Sequence, residues 1–414
     1  MTKKRYFFLV LILGSLTALS PFSIDMYLPG FQAIATDLQT TTAQVSLSLS
    51  SYFMGLAGGQ LLYGPLLDRF GRKKPLYAGL ILYCIASAGC MMATSIDQLI
   101  FIRLIQAIGG CAAGVASVAM IRDLFPVKDI PKVFSLLILV LSASPLIAPT
   151  AGGYVISIFG WQAVFIILLL IGVINLFASI FFLPESYAPD PEVSLKPKPI
   201  VKNFIMVMKE PAFYTYSLTG AVAFSGLFVY VSGAPIVFMD IYKVSAETFG
   251  WIFAGISLGF IGASQINTLM LRRFTSAQLV FAALTCQLII GMIFLTGTLN
   301  GWFGLQATLI CIFFFLCCIG FTNPNAAALC MAPFTKNAGS ASALMGALQM
   351  GIGASISALV GLFDVKSAVP MVAIMAGTSL LAFLILLFGR TAIRRKGENE
   401  EMEIRKDFEA IHIH

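Results

Sequence analysis

The sequence predicts an all-α polytopic membrane protein with 12 transmembrane helices grouped in two six-helix bundles. Three observations carry that expectation. Apolar segments near 20 residues long recur from one end of the 414-residue chain to the other, which is the length a helix needs to cross a hydrocarbon core. Charge is scarce: 58% of residues are hydrophobic and 11% charged, with a mean hydropathy of +0.92, whereas a soluble domain carries about 25% charged residues. The charges that remain are sorted to one side of the predicted membrane. The runs are continuously apolar rather than ~10-residue alternations, which favours helices over a barrel.

In order, the spans cover residues 6–27, 44–66, 75–95, 99–121, 133–157, 163–183, 212–234, 248–270, 277–297, 303–325, 339–363 and 369–389. The first follows Lys3-Lys4-Arg5 in the manner of a secretory signal. It is long and has no small-residue cleavage site, so it reads as a retained first helix. Spans two and three are joined by a short charged hairpin, Gly64–Lys74. Of the 26 Lys and Arg residues, 23 fall in the two tails and in the loops on the hairpin's side. Only Lys243 and Lys366 lie on the other side, and Arg103 lies inside a span. By the positive-inside rule both termini and the hairpin are cytoplasmic.

The longest internal loop, 184–211, contains Pro184, Pro191, Pro197, Pro199 and Pro211 with mixed charge, which suits an extended linker. Residues 200–209 within it read as a short interfacial helix. The expected organisation is an N-terminal half over 1–183, the linker 184–211, a C-terminal half over 212–389 and a charged, mobile cytoplasmic tail over 390–414. Two six-span halves suggest duplication. The second-half counterpart of the hairpin, Leu271-Arg272-Arg273-Phe274-Thr275, keeps the cations and loses the Gly, Pro and Asp, so the repeat is weak in sequence.

Ionisable groups inside spans cost about 2.5–3.5 kcal/mol each to insert. Two stand out, Asp25 in span one and Arg103 in span four. At 1.5 Å per residue both fall in the same half of the membrane, where they could face one cavity. A carboxylate there can change protonation state, as a proton-coupled transporter requires; the plainer reading is that Asp25 ends its helix at the headgroups and Arg103 snorkels. In span five, Pro145 and Pro149 bend the helix and Gly152-Gly153 admits a neighbouring backbone, for rocking or for packing alone. Span eleven is glycine-rich, with Gly346, Gly351 and Gly353. Asn323 and Gln349 are amides that contact substrate or bridge helices. Phe224, Phe228 and Tyr230 in span seven and Tyr52 in span two are candidates to line an apolar cavity, although lipid or core contact is the default for aromatics here.

Several classes are excluded. No Gly-rich phosphate loop lies in a cytoplasmic connection, which argues against ATP as the energy source. Both histidines lie in the C-terminal tail, so no Ser/His/Asp set can form in the membrane. The eight cysteines all fall inside apolar segments without metal or redox spacing. The net charge of +7 lacks the basic, aromatic-interleaved face of a nucleic-acid binder. The chain is therefore expected to be no enzyme, to hold no metal or cofactor, and to bind no nucleic acid.

Gly64-x-Leu66-x-Asp68-Arg69-x-Gly71-Arg72-Lys73 resembles the loop 2–3 signature of the major facilitator superfamily. Leu99-x-x-x-Arg103-x-x-Gln106 resembles its span-four motif, with Ala107 where Gly is usual. Ala148-Pro149-x-x-Gly152-Gly153 resembles its span-five antiporter motif, with Ala148 in place of Gly. Asp25-Met26-Tyr27-Leu28-Pro29, Ile34-Ala35-x-Asp37-Leu38 and Ser232-Gly233-Ala234-Pro235 resemble the bicyclomycin-resistance-type (Bcr/CflA) drug:proton antiporters. The resemblance implies a monomeric proton-driven exporter of small apolar or cationic drug-like molecules in a bacterial inner membrane, embedded in the bilayer and powered by the proton gradient. Asp25 and Arg103 would carry the coupling, and Tyr27 and Gln106 would join the cavity. Asp68 would sit against the start of span eleven near Ala338-Gly339, and Arg72 would pair with Asp123. Together with Gly64, Arg69 and Gly71 these residues would latch the halves. The alternative on the same fold is a proton-coupled transporter of a small metabolite such as an amino acid or sugar. A receptor with a transporter fold would be expected to carry a large folded tail or loop domain.

Overall fold

The computed structural model describes residues 3–126, 129–191, 197–334, 338–363 and 367–411. These form α1 (Lys3–Asp25), α2 (Phe31–Asp37), α3 (Thr42–Phe70), α4 (Lys73–Met91), α5 (Ile96–Leu124), α6 (Ile130–Phe159), α7 (Gln162–Phe182), α8 (Pro197–Met208), α9 (Pro211–Pro235), α10 (Ala246–Met270), α11 (Ser276–Leu299), α12 (Leu305–Met331), α13 (Ala338–Gly361) and α14 (Val369–Ile411). No strand occurs among the described residues. Eleven of the helices are long and apolar enough to span a membrane. The twelfth, α3, has the length but is diluted by Ser46, Ser48, Ser50, Ser51 and Gln60. Among the described residues α14 continues as helix through 390–411, so the structure gives that part of the expected mobile tail as a continuation of the last span. The helix expected over 200–209 is α8.

Helix starts follow local chemistry. Thr41, Ser95 and Ser245 accept a hydrogen bond from the backbone N–H three residues on, and Thr275 with Gln278 forms a reciprocal capping box. Each satisfies donors that a helix leaves open.

The packing repeats between the halves. In the first half α1 packs on α6, α3 on α5, α4 on α5 and α4 on α7; in the second, α9 packs on α13, α10 on α12, α11 on α12 and α11 on α14. Taken by span order these are the same four pairings, so the duplication is plain in packing where it is faint in sequence. The halves meet through α3 against α13 and α6 against α10, which the same pseudo-two-fold exchanges.

Glycines show where that interface is tight. At the end remote from the Gly64–Lys74 hairpin, a Cβ on Gly153 would lie 2.6 Å from the Ala246 carbonyl oxygen, and one on Gly250 2.6 Å from Thr150 Cα. One on Gly361 would lie 2.6 Å from the Leu47 side chain. At the hairpin end, a Cβ on Gly64 or Gly339 would meet no described atom within 4 Å. Among the described residues the halves are jammed together at the remote end and again part-way along, where a Cβ on Gly346 would lie 2.2 Å from Gln60 Oε1, and are slack only around Gly64 and Gly339 at the hairpin end.

Replacing Gly250 with Ala is therefore expected to lower the thermal midpoint of the detergent-solubilised protein by several degrees, because the opposing atoms are backbone. Gly58→Ala, in the middle of α3 with open space around it, is expected to hold or raise the midpoint through helix propensity worth about 0.5–1 kcal/mol. Thermal unfolding of the two variants side by side checks this.

Candidate functional site

Asp25 is the last residue of α1. The chain then turns through Met26–Tyr27 into a 3-10 turn, Leu28–Gly30, with Pro29 inside it, before resuming as α2. Pro29 removes a backbone donor and ends the helix here. The break is buried, and Asp25 itself is only 6% exposed. It is the one carboxylate among the buried described residues. Its side chain makes no hydrogen bond or ion pair within the described residues, and it interacts electrostatically with Tyr230 of α9, in the other half. The Tyr230 hydroxyl is buried without a hydrogen-bond partner.

Arg103 lies in the second turn of α5 and is fully buried. Its guanidinium is sandwiched between the rings of Tyr27 and Tyr52, 4.3 and 4.2 Å from their centroids, with Phe165 at 5.8 Å. Nη2 donates to the Ser23 carbonyl at 2.8 Å and Nη1 to Gln106 Oε1 at 2.6 Å. Gln106 Nε2 donates onward to Ser87 Oγ at 2.8 Å. Ser23 and Tyr83 hydroxyls meet at 2.7 Å, and those of Tyr27 and Ser48 at 3.2 Å. A cation thus sits in the core of the first half with no carboxylate. Two aromatic faces and two carbonyl-type oxygens hold it, and a planar guanidinium can stack flat between both rings while its fork reaches both oxygens, which a compact ammonium cannot do at once.

The expected partnership of Asp25 with Arg103 is absent. Arg103 is bonded to the backbone of Ser23, two residues before Asp25, and turned into its own half. Tyr27, Tyr52 and Gln106 belong to this Arg103 cage rather than to a cavity. The other cavity candidates lie in the second half. Phe228 is buried 4.3 Å, centroid to centroid, from Phe53 of α3, with Phe224 at 5.2 Å on its other side. Asn323 Oδ1 accepts from Gln349 Nε2 at 2.8 Å; these two amides and Phe224 are half-buried. A wholly apolar cleft of about 410 Å³ lies between α10 and α12, lined by residues of the second half such as Ile256 and Phe313.

At the hairpin, Arg72 Nε donates to Asp123 Oδ2 at 2.8 Å and Nη1 to Asp68 Oδ1 at 2.6 Å. Burial works against the Arg72 charge, but the two carboxylates outweigh it and hold the guanidinium more firmly protonated than usual. Asp68 thus spends its carboxylate inside its own hairpin. The contact expected near Ala338-Gly339 adjoins residues 335–337, which lie outside the described set. Arg69 lies 5.8 Å from the Phe70 ring centroid, and a Cβ on Gly64 would meet open space. Gly71 has φ +82°, and a Cβ there would stand 3.1 Å from the Glu185 carboxylate, so both backbone and space call for glycine. Glu185 receives the backbone N–H groups of Arg72 at 2.8 Å and Lys73 at 3.2 Å, capping α4. Tyr187 stacks on the Arg72 guanidinium at 4.3 Å. In α6, which runs through Pro145 and Pro149, a Cβ on Gly152 would fall 1.9 Å from the Met26 carbonyl oxygen. The glycine pair therefore clamps the broken end of α1 on one side and the start of α10 on the other.

Sequence reasoning missed Glu185 and Tyr187, whose Leu-Pro-Glu-Ser-Tyr stretch directly after span six was the available signal. It also missed Asp240, the one acid in the apolar stretch after span seven.

Two six-helix halves that among the described residues are jammed together at one end and open around Gly64 and Gly339 at the other, with a buried carboxylate where they meet, define a membrane transporter rather than an enzyme. Residues 13–358 match the family described as Major Facilitator Superfamily. The chain is 32% identical over 387 residues to a bicyclomycin resistance protein homolog of Haemophilus influenzae, covering 93% of this chain and 97% of that one. It is 35% identical to an uncharacterized MFS-type transporter, YdgK, of Bacillus subtilis, covering 96% and 98%. Its fold superposes on a crystal structure of a D-xylose-proton symporter with a TM-score of 0.74 at 16% identity, covering 92% of this chain and 97% of that one. The chain belongs to the Major Facilitator Superfamily.

Arg103→Lys is expected to destabilise the protein by about 2 kcal/mol or more, because an ammonium keeps the charge and loses the double stack and the fork. Tyr52→Phe, which preserves the ring, is expected to cost far less. Thermal midpoints of the two variants in the same detergent check the order.

Proposed function

We propose that the chain is a proton-driven exporter of small apolar or cationic drug-like molecules, working as a monomer by alternating access. The observation that carries this reading is Asp25, a buried carboxylate without a hydrogen bond among the described residues, set at the broken end of α1 and facing Tyr230 of the other half. An unpaired acid at that depth is costly, and in membrane helices such groups mark ion and proton pathways. Breaks in spanning helices at the contact between repeats are where transporters place their sites. That the Haemophilus influenzae relative is a bicyclomycin resistance protein homolog supports drug-like cargo. The positive-inside count supports a bacterial inner-membrane orientation in which the hairpin and both termini face the cytoplasm.

In this reading the remote end, closed here, is the periplasmic side, and the cytoplasmic side is the one that admits cargo. Parting of the remote end exposes Asp25 to the periplasm, where it exchanges a proton for cargo; return of the halves carries the proton inward. Arg103 acts by holding α1, α3 and α5 in register around Asp25 rather than by pairing with it. The Arg72–Asp68–Asp123 cluster forms the cytoplasmic latch, with its ion pairs among the described residues all made inside the first half.

Asp25→Asn is expected to reduce pH-driven efflux from proteoliposomes at least tenfold while leaving insertion and drug binding intact. Uphill export by that variant would remove Asp25 from the coupling role. Asp68→Asn is expected to lose transport with normal membrane insertion, measured as the ratio of drug flux to folded protein.

A further inference from the structure

Beyond its spanning part, α9 continues past Pro235 as a π-helical segment, Ile236–Ile241. The Tyr242 N–H bonds back to the Val237 carbonyl at 3.1 Å, the wider i to i+5 spacing. Wide turns of this kind insert an extra residue, re-aim the side chains that follow, and recur at functional positions. Here the re-aimed side chain is Asp240. Its Oδ1 accepts a hydrogen bond from Gln32 Nε2 of α2 at 2.5 Å, and its Oδ2 accepts one from the Thr42 hydroxyl at the start of α3. Both donors belong to the first half and Asp240 to the second. The contact stands at the end of the bundle where Gly153, Gly250 and Gly361 are jammed against the opposite half.

We propose that Asp240, bridged to Gln32 and Thr42, is the gate latch at the end remote from the hairpin. It is a positioning residue that holds the two halves together there while the hairpin end is slack. The geometry suits a latch better than a static brace. A carboxylate held by two neutral donors gives charge-assisted hydrogen bonds stronger than neutral ones. Among the described residues no cation pairs with it, and water can replace both donors when the halves part. The segment that carries Asp240 is continuous with α9, the most deeply buried of the candidate spans. The same rod places Ser232 in a buried hydroxyl chain, with Ser357 of α13 at 3.0 Å and Ser50 of α3 a further 2.7 Å on, and places Tyr230 toward Asp25. A change at the carboxylate site and a change at the latch therefore act on one rigid element. The proposal rests on the transporter reading only for the existence of two states of the halves, and not on proton coupling.

The test is a distance measurement without cargo or gradient. Spin labels on cysteines introduced at Asp97 and Asn300, exposed positions on the two halves at the remote end, report the gap between them. In Asp240→Ala the population with a widened gap is expected to rise at least tenfold over the parent. Gln32→Leu and Thr42→Val are each expected to widen the gap less, and to add nothing in the Asp240→Ala background, since all three break one bridge. An unchanged distance distribution in Asp240→Ala overturns the latch, as do fully additive effects of Gln32→Leu and Thr42→Val in that background. Should Asp240→Ala fail to fold, the Gln32→Leu and Thr42→Val singles and their double decide: a double that widens the gap beyond either single supports the latch, and a double no wider than the parent or than the larger single overturns it. Failure of proton coupling at Asp25 leaves these distances untouched, so the two readings fail separately.

Discussion

The first half of this protein depends on how one guanidinium is kept in the membrane. A cation in the core of a helix bundle has no water to lean on, and Arg103 has no carboxylate either. Its charge is spread over two tyrosine faces and given to the Ser23 carbonyl and the Gln106 amide. Those groups come from α1, α3, α5 and the turn after α1, and Gln106 extends the chain of bonds to α4 through Ser87. Four spanning helices are thereby fixed in mutual register by one side chain. The break after Asp25 is stable because it is pinned on one side by this cage and on the other by Gly152 under the Met26 carbonyl. A helix end with unspent backbone groups can lie inside a membrane only when the surrounding protein satisfies them.

The second half is organised by different means. Its polar contacts are hydroxyls and amides: Asn267 with Asn325, Asn323 with Gln349, Ser232 with Ser357. Among the described residues, buried charge is confined to the first half and the hairpin, and the acid that bridges the halves at the remote end, Asp240, comes from the second. The duplicated packing has thus been kept while the chemistry has divided. One half carries the ionisable centre. The other supplies the long buried rod, α9, that touches the first half at successive depths.

Much of this was legible in the chain, and the limits are physical. Span positions were readable because a bilayer demands about 20 apolar residues per crossing. Asp25 and Arg103 stood out because charge in hydrocarbon is expensive. Their relation to each other was not readable: a charge seeks a partner, and the sequence shows which opposite charges exist but not that two tyrosines suffice. Tyr27 and Tyr52 looked like cavity residues because aromatics are common everywhere in membrane helices. The Arg72–Asp123 contact came through motif resemblance, whereas Glu185 reaches the same hairpin from 113 residues away with no local pattern to announce it. Asp240 needed the π-helical turn, a one-residue change of register that hydropathy does not register.

The anchoring of Glu185, Tyr187 and Asp190 on the hairpin changes what the connection between the halves is. Residues 184–211 look like a slack tether, but the first part is fastened to the first half as far as the Asp190 N–H on the Asp68 carbonyl. The later part is fastened to the second half through α8, whose Val207 is buried in the second half's own apolar cluster. In the sequence, seven residue steps separate Asp190 from Pro197. Fully extended, that many residues reach roughly 25 Å. The connection is therefore a leash of set length: it permits the hairpin end to gape, and it also states how far.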